Sequence, residues 1–203
     1  SNPIIEENLI EFNYTASGLF VGSGAGICSY GNSNPVIRNN IIRKNWVDVG
    51  DGGGISCGSA VISNNIILKN AANYGGGISC GSAIITNNTI SQNGGGEGIA
   101  CGSAVVTNNI IANHTGAGMR CDPGSTPLVS YNNAWNNQGG NFSGCNPNLG
   151  VLDTINVNGD SCDLFFNISY DPLFTDTLYH LSKVSPCTVS YTHLRAHETG
   201  RNL

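Results

Sequence analysis

Three features of this 203-residue sequence predict an all-β solenoid of short strands stacked as parallel coils. A segment recurs six times, apolar residues hold constant positions within it, and glycine and asparagine punctuate every copy. The copies are SNPIIEENLIEFN from Ser1, SNPVIRNNIIRKN from Ser33, SAVISNNIILKN from Ser59, SAIITNNTISQN from Ser82, SAVVTNNIIANH from Ser103 and STPLVSYNNAWNN from Ser125. The segments between them vary in length and close on glycine, an apolar residue and usually cysteine: GGISCG from Gly53 and from Gly76, EGIACG from Glu97, AGMRCD from Ala117. A period of roughly 20 to 30 residues is that of a solenoid.

The first strand of each coil is marked by an apolar column at Ile5, Ile37, Ile62, Ile85, Val106 and Val129. Five residues later a second column follows at Ile10, Ile42, Ile67, Ile90, Ile111 and Ala134, so both must face one core. The closing segments supply the third strand, with Ile27, Ile55, Ile78, Ile99 and Met119 each followed two residues later by Ser29, Cys57, Cys80, Cys101 and Cys121. A spacing of two is the signature of a strand, and neighbouring coils pair about 4.8 Å apart. Three short strands per coil and six coils then rise about 24 Å from first to last.

Between the first two columns stands an asparagine in every copy: Asn8, Asn40, Asn65, Asn88, Asn109 and Asn132. An amide carries both donor and acceptor, so stacked asparagines can bond to each other and to turn backbone, and asparagine tolerates a left-handed turn. These residues are predicted to form an internal ladder. A second ladder is expected at Asn13, Asn45, Asn70, Asn93 and Asn137, with His114 standing between the last two. Cys57, Cys80, Cys101 and Cys121 read as small apolar fillers of the third column. Four collinear thiols make no tetrahedron, so no metal is expected there. Cys28, one residue out of register, should face outward.

Composition limits the function. Only 10% of residues are charged and the formal net charge is −5, without a lysine/arginine cluster, which removes the electrostatic footprint of nucleic-acid binding. Hydrophobic content is 39%, with no apolar run near the roughly 20 residues a spanning helix needs, so no membrane insertion is expected. The 28 glycines and 29 asparagines disfavour helices.

The repeated apolar-x-x-Asn-x-Ile-x-x-Asn pattern, with its G-I-x-C closing segments, resembles the right-handed parallel β-helix proteins of the pectate-lyase-like superfamily over residues 1–138. The resemblance implies a right-handed coil and is specific for fold. Its members include polysaccharide lyases and hydrolases, adhesins and secreted proteins without assigned activity, so it does not choose a function. NISYDPLFTDTLYHLSKVSPC from Asn167 resembles the closing stretch of secreted bacterial β-helix proteins. The expected organisation is therefore coils over 1–143, an excursion and terminal coil over 144–188, and a foreign tail over 189–203. VSYTHLRAHET from Val189 resembles the in-frame translation of a sequencing adapter, which suggests a fragment truncated at both ends. The excursion CNPNLGVLDTINVNGDSC breaks the repeat, and a Cys145–Cys162 disulfide is expected to close its base.

Uronate chemistry in such proteins needs carboxylates from adjacent coils, to hold calcium or act as acid and base, together with a basic residue. The outward residues of the third strand are Cys28, Ser56, Ser79, Ala100 and Arg120, one arginine and no carboxylate. The paired-aspartate, G-H-G and R-x-K motifs of β-helix glycoside hydrolases are absent. Glu97, Arg120 and Asp122 are the catalytic candidates, and Trp46, Tyr74, Asp48 and Asp51 the candidate ligand-binding loop residues. Arg38, Arg43, Lys44 and Lys69 read as a small basic patch. The expected function is a non-catalytic secreted or cell-surface bacterial module that binds glycan or serves as adhesin or spacer, without a cofactor. The alternative is a piece of a polysaccharide lyase or glycoside hydrolase, in which calcium would have a place.

Overall fold

A computed structural model describes residues 2–16 and 22–188. The predicted foreign tail lies outside the described residues. Among the described residues there is no helix, and so none long and apolar enough to cross a membrane. The strands stack into three parallel six-stranded sheets. The first contains Ile4–Glu6, Val36–Arg38, Val61–Ser63, Ile84–Thr86, Val105–Thr107 and Leu128–Ser130. The second contains Leu9–Glu11, Ile41–Arg43, Ile66–Leu68, Thr89–Ser91, Ile110–Ala112 and Asn133–Trp135. The third runs from Ile27–Ser29 through Ile55–Cys57, Ile78–Cys80, Ile99–Cys101 and Met119–Cys121 to Phe142–Ser143.

Register follows the predicted columns. Ile62 pairs with Ile37 and Ile85, Ile67 with Ile42 and Ile90, and Ile78 with Ile55 and Ile99, and all of them are fully buried. Each such side chain contributes about 1.5–3 kcal/mol by leaving water. The closing glycines are required by the same packing, since a Cβ on Gly54 or Gly77 would run into the carbonyl oxygen of the next coil's glycine.

Both ladders form. Asn65 donates its backbone N–H (2.9 Å) and its Nδ2 (3.0 Å) to Asn88 Oδ1, while Nδ2 also reaches Ser63 O and Ile37 O. The same pattern links Asn8, Asn40, Asn88, Asn109 and Asn132. The left-handed residue is the one before each ladder asparagine, not the ladder residue itself: Asn39, Asn64, Asn87 and Asn108 have φ of 56° to 58°. The inward amide needs the neighbour to make the turn. In the second ladder His114 replaces an amide, its Nδ1 accepting from the Asn93 N–H at 3.1 Å and its Nε2 lying 3.1 Å from Ile90 O. A Cβ on Gly98 would collide with that ring, so the larger rung is matched by the smallest residue.

A fourth parallel sheet of two-residue strands, Tyr14–Thr15, Trp46–Val47, Ala71–Ala72 and Gly94–Gly95, lies in the joining segments. These positions share no residue type, so no sequence column announces them.

The expected Cys145–Cys162 disulfide is replaced by Cys121–Cys145, with Cα atoms 4.9 Å apart. Phe142 and Ser143 pair with Met119 and Arg120, so the chain begins another third-sheet strand before the excursion. Gly144, at φ 68°, then shifts Cys145 beyond strict register and onto Cys121. Cys162 is a buried free thiol on the antiparallel pair Thr154–Ile155 and Ser161–Cys162. The excursion also ends the first ladder. Asn132 donates to Asn167 Oδ1, and Asn167 Nδ2 donates to the fully buried Asp163 carboxylate, which also accepts from Gly150, Phe165 and Asn167 N–H groups. Beyond it, Phe174, Leu181 and Cys187 fold back over Ile110, Ala112 and Trp135 on the outer face of the second sheet.

Candidate functional site

The outer face of the third sheet carries Cys28, Ser56, Ser79, Ala100 and Arg120 in consecutive register, one residue per coil. Ser56 and Ala100 are buried, Ser79 and Arg120 partly so, and Cys28 is exposed. Tyr30 OH lies 2.7 Å from Ser56 Oγ. Behind this floor Cys57, Cys80 and Cys101 are free and buried. Loss of hydration pushes the Cys57 and Cys101 thiols up to about 12, and Cys80 well above its ordinary value, so they are inert filler at neutral pH. Cys121, predicted as a fourth filler, is instead half of the disulfide.

Arg120 is the centre of the face. Its Nε lies 3.0 Å from Glu97 Oε1 and its Nη2 3.5 Å from Asp122 Oδ1, while its guanidinium stands 5.0 Å above the Tyr74 ring. The Nε contact is a close ion pair without hydrogen-bond alignment, since that nitrogen is buried and otherwise unpartnered. Glu97 is held from behind by the Gly75 N–H at 3.2 Å from Oε2. The three catalytic candidates of the sequence thus converge from adjacent coils, together with Tyr74.

Asp51 joins the same neighbourhood. It bridges to Tyr74 along the backbone, and its carboxyl is raised above the usual value first by burial, against the pull of Arg120 and with a further push from Asp122. Sequence reasoning placed Asp51 and Tyr74 among loop residues without linking them to Arg120. The available signal was their shared place one residue before a left-handed glycine, Gly52 and Gly75. Trp46 lies elsewhere: it is exposed in the fourth sheet, pairs with Ala71 and packs on Tyr14 with ring centres 5.3 Å apart. Asp48 follows on the same segment, its N–H donating to Thr15 O.

Among the described residues no three His, Cys, Asp or Glu side chains are grouped to hold a metal ion. Glu97 and Asp122 are turned onto a guanidinium that already supplies the positive charge, so this donor set does not fit calcium.

Of the basic patch read from Arg38, Arg43, Lys44 and Lys69, the two arginines are paired with carboxylates. Arg38 pairs with Glu6 at 2.7 Å and Arg43 with Glu11 at 2.6 Å, because parallel register sets these two glutamates of the first coil beside the two arginines of the second. Lys44 sits 4.7 Å over the Phe12 ring.

No curated protein and no solved structure matches the chain. A family model described as the right handed beta helix region matches residues 1–105, just over half of the 203. The parallel sheets, inward isoleucine columns and stacked asparagines extend that pattern through Trp135. The chain therefore belongs to the right-handed β-helix family.

Proposed function

We propose that this protein is a non-catalytic, secreted or cell-surface bacterial β-helix module that binds a glycan or serves as an adhesin or spacer. One observation carries the reading. The outer column Cys28, Ser56, Ser79, Ala100 and Arg120 has no carboxylate, and its single guanidinium is committed to Glu97, Asp122 and Tyr74. What remains is a rigid surface with a half-exposed tyrosine backed by an arginine that is itself held by Glu97 and Asp122, which suits sugar rings. The Cys121–Cys145 bridge supports an oxidising compartment. The test is affinity electrophoresis of the whole chain through neutral and acidic polysaccharides, with the same mixtures assayed for cleavage. Retardation without new reducing ends or unsaturated sugars is expected, and Tyr74→Ala should weaken it about tenfold. Release of either product would sink the reading.

The convergence of Glu97, Arg120 and Asp122 favours a second reading, a piece of a polysaccharide lyase or hydrolase. If a longer active chain kept its full rate after Glu97→Gln and Arg120→Ala, that reading would fail.

A further inference from the structure

We propose that the inward column Cys57, Cys80 and Cys101 is a binding site for one soft divalent cation held between two thiolates in linear geometry, the coordination that the mercuric ion prefers. The register carries the argument. Cys57 pairs with Cys80 and Cys80 with Cys101 in consecutive parallel strands, and all three thiols are free and buried in one core cluster. Their spacing is therefore that of the coils, about 4.8 Å. Two metal–sulfur bonds of about 2.3 Å laid end to end span about 4.6 Å. An ion between adjacent coils thus reaches both sulfurs at once without any shift of the backbone.

The column is bounded on both sides by coils of this chain. Ser29 pairs with Cys57 at one end, and at the other Cys121, in register with Cys101, is bonded to Cys145. Three thiols between a hydroxyl and a disulfide offer two overlapping pairs, Cys57 with Cys80 and Cys80 with Cys101, and Cys80 belongs to both. The electrostatics show the same adjacency: burial raises the Cys80 thiol first, and Cys101 and Cys57 raise it further.

Charge and coordination choose the ion. Ile55, Ile78 and Ile99, fully buried on the same inward face of the same strands, make the surroundings apolar, so a complex with net charge would be costly there. Two thiolates around a divalent cation are neutral, whereas around a monovalent one they leave a negative charge. Calcium needs a cage of oxygens and zinc a tetrahedron, neither of which a straight column supplies. Thiolate ligands select soft cations. Binding is a proton exchange: each S–H bond breaks with its electron pair left on sulfur, that pair forms the bond to the metal, and two protons leave to solvent for each ion bound. The third thiol stays protonated. A coordinating thiol is deprotonated outright, so the high pKa that keeps these groups from acting as nucleophiles does not bar the exchange.

The experiment uses the whole chain with Cys28 capped by iodoacetamide, dialysed against mercuric chloride buffered by iodide; no reductant is present, so the Cys121–Cys145 bridge persists. Bound mercury is counted, and X-ray absorption reads its neighbours. The chain should hold one ion that Cys80→Ala lacks, that variant losing at least about a hundredfold in affinity for it, while Cys57→Ala and Cys101→Ala, which each leave one pair, stay within about a factor of two. If Cys80→Ala folds poorly, the double variant Cys57→Ala/Cys101→Ala, which leaves Cys80 alone, decides the matter and should lose the same ion. The ion that depends on Cys80 should have two sulfur neighbours at about 2.3 Å. Equal mercury in the chain and in the variant that leaves no pair, a loss in Cys57→Ala or Cys101→Ala as deep as in Cys80→Ala, or a different number of sulfur neighbours would each overturn the proposal.

Discussion

His114 makes stability depend on pH in a calculable way. The ring is 1% exposed within the second ladder, and burial lowers its pKa from 6.5 to about 4, the carbonyls of Asn93 and Ile90 pulling weakly the other way. Its Nδ1 accepts the Asn93 N–H, so a proton there would set two donors against each other in a dry site. The unfolded chain takes up the proton near 6.5 and the folded chain only near 4. Because the unfolded state binds more protons in that window, stability is full above 6.5, declines as the pH falls toward 4, and levels off below it. At about 1.4 kcal/mol per unit the loss comes to about 3 kcal/mol. For a chain of this size that is a drop of about 10 °C in melting temperature. His114→Asn returns an amide to the rung and removes the titrating group. Urea unfolding of both proteins at pH 7 and pH 4 reads the difference, since the contributions of all other groups are shared. The unsubstituted chain should lose about 3 kcal/mol more than the variant. Parallel curves of stability against pH for the two proteins would refute the reasoning.

Asn88→Ala leaves the Asn65 N–H without its acceptor inside the core and strips one donor each from Ile62 O and Asn109 Oδ1, a cost of about 3 kcal/mol. Asn8→Ala at the exposed first rung should cost less than about 1 kcal/mol. Equal denaturation midpoints for the two variants would contradict a cooperative buried ladder. Alkylation without reductant should label Cys28 in the native chain and all six free thiols after unfolding, and peptide mapping should recover Cys121 linked to Cys145. Recovery of Cys145 linked to Cys162 would reverse the assignment.

The coil core was legible because each coil meets the same constraints. Ile37, Ile62 and Ile85 sit in one environment three times over, and so do Asn40, Asn65 and Asn88, so their spacing survives as a written column. Asn167 escaped that reading although Asn167-Ile168 repeats the Asn65-Ile66 pair, because 35 residues separate it from Asn132. Asp163 escaped as well, since it occurs once and serves as the cap of a single ladder. The site was legible only as a set of residue types. Glu97, Arg120 and Asp122 were candidates in the sequence, while the Tyr74 ring beneath Arg120 and Asp51 beside it depend on loops of unequal length meeting at one height of the stack.

The sequence by itself determined the architecture: parallel coils, inward isoleucines, asparagine rungs and the third column of small residues. Local periodicity suffices where a side chain's surroundings repeat every coil. Only the tertiary structure decided which partner each singular residue takes: Cys121 for Cys145, Glu6 and Glu11 for the two arginines, Asp163 for the last rung, Phe174 and Leu181 for the outer face of the second sheet. Those pairings join residues by register across the stack, and register depends on the lengths of loops that carry no periodic signal.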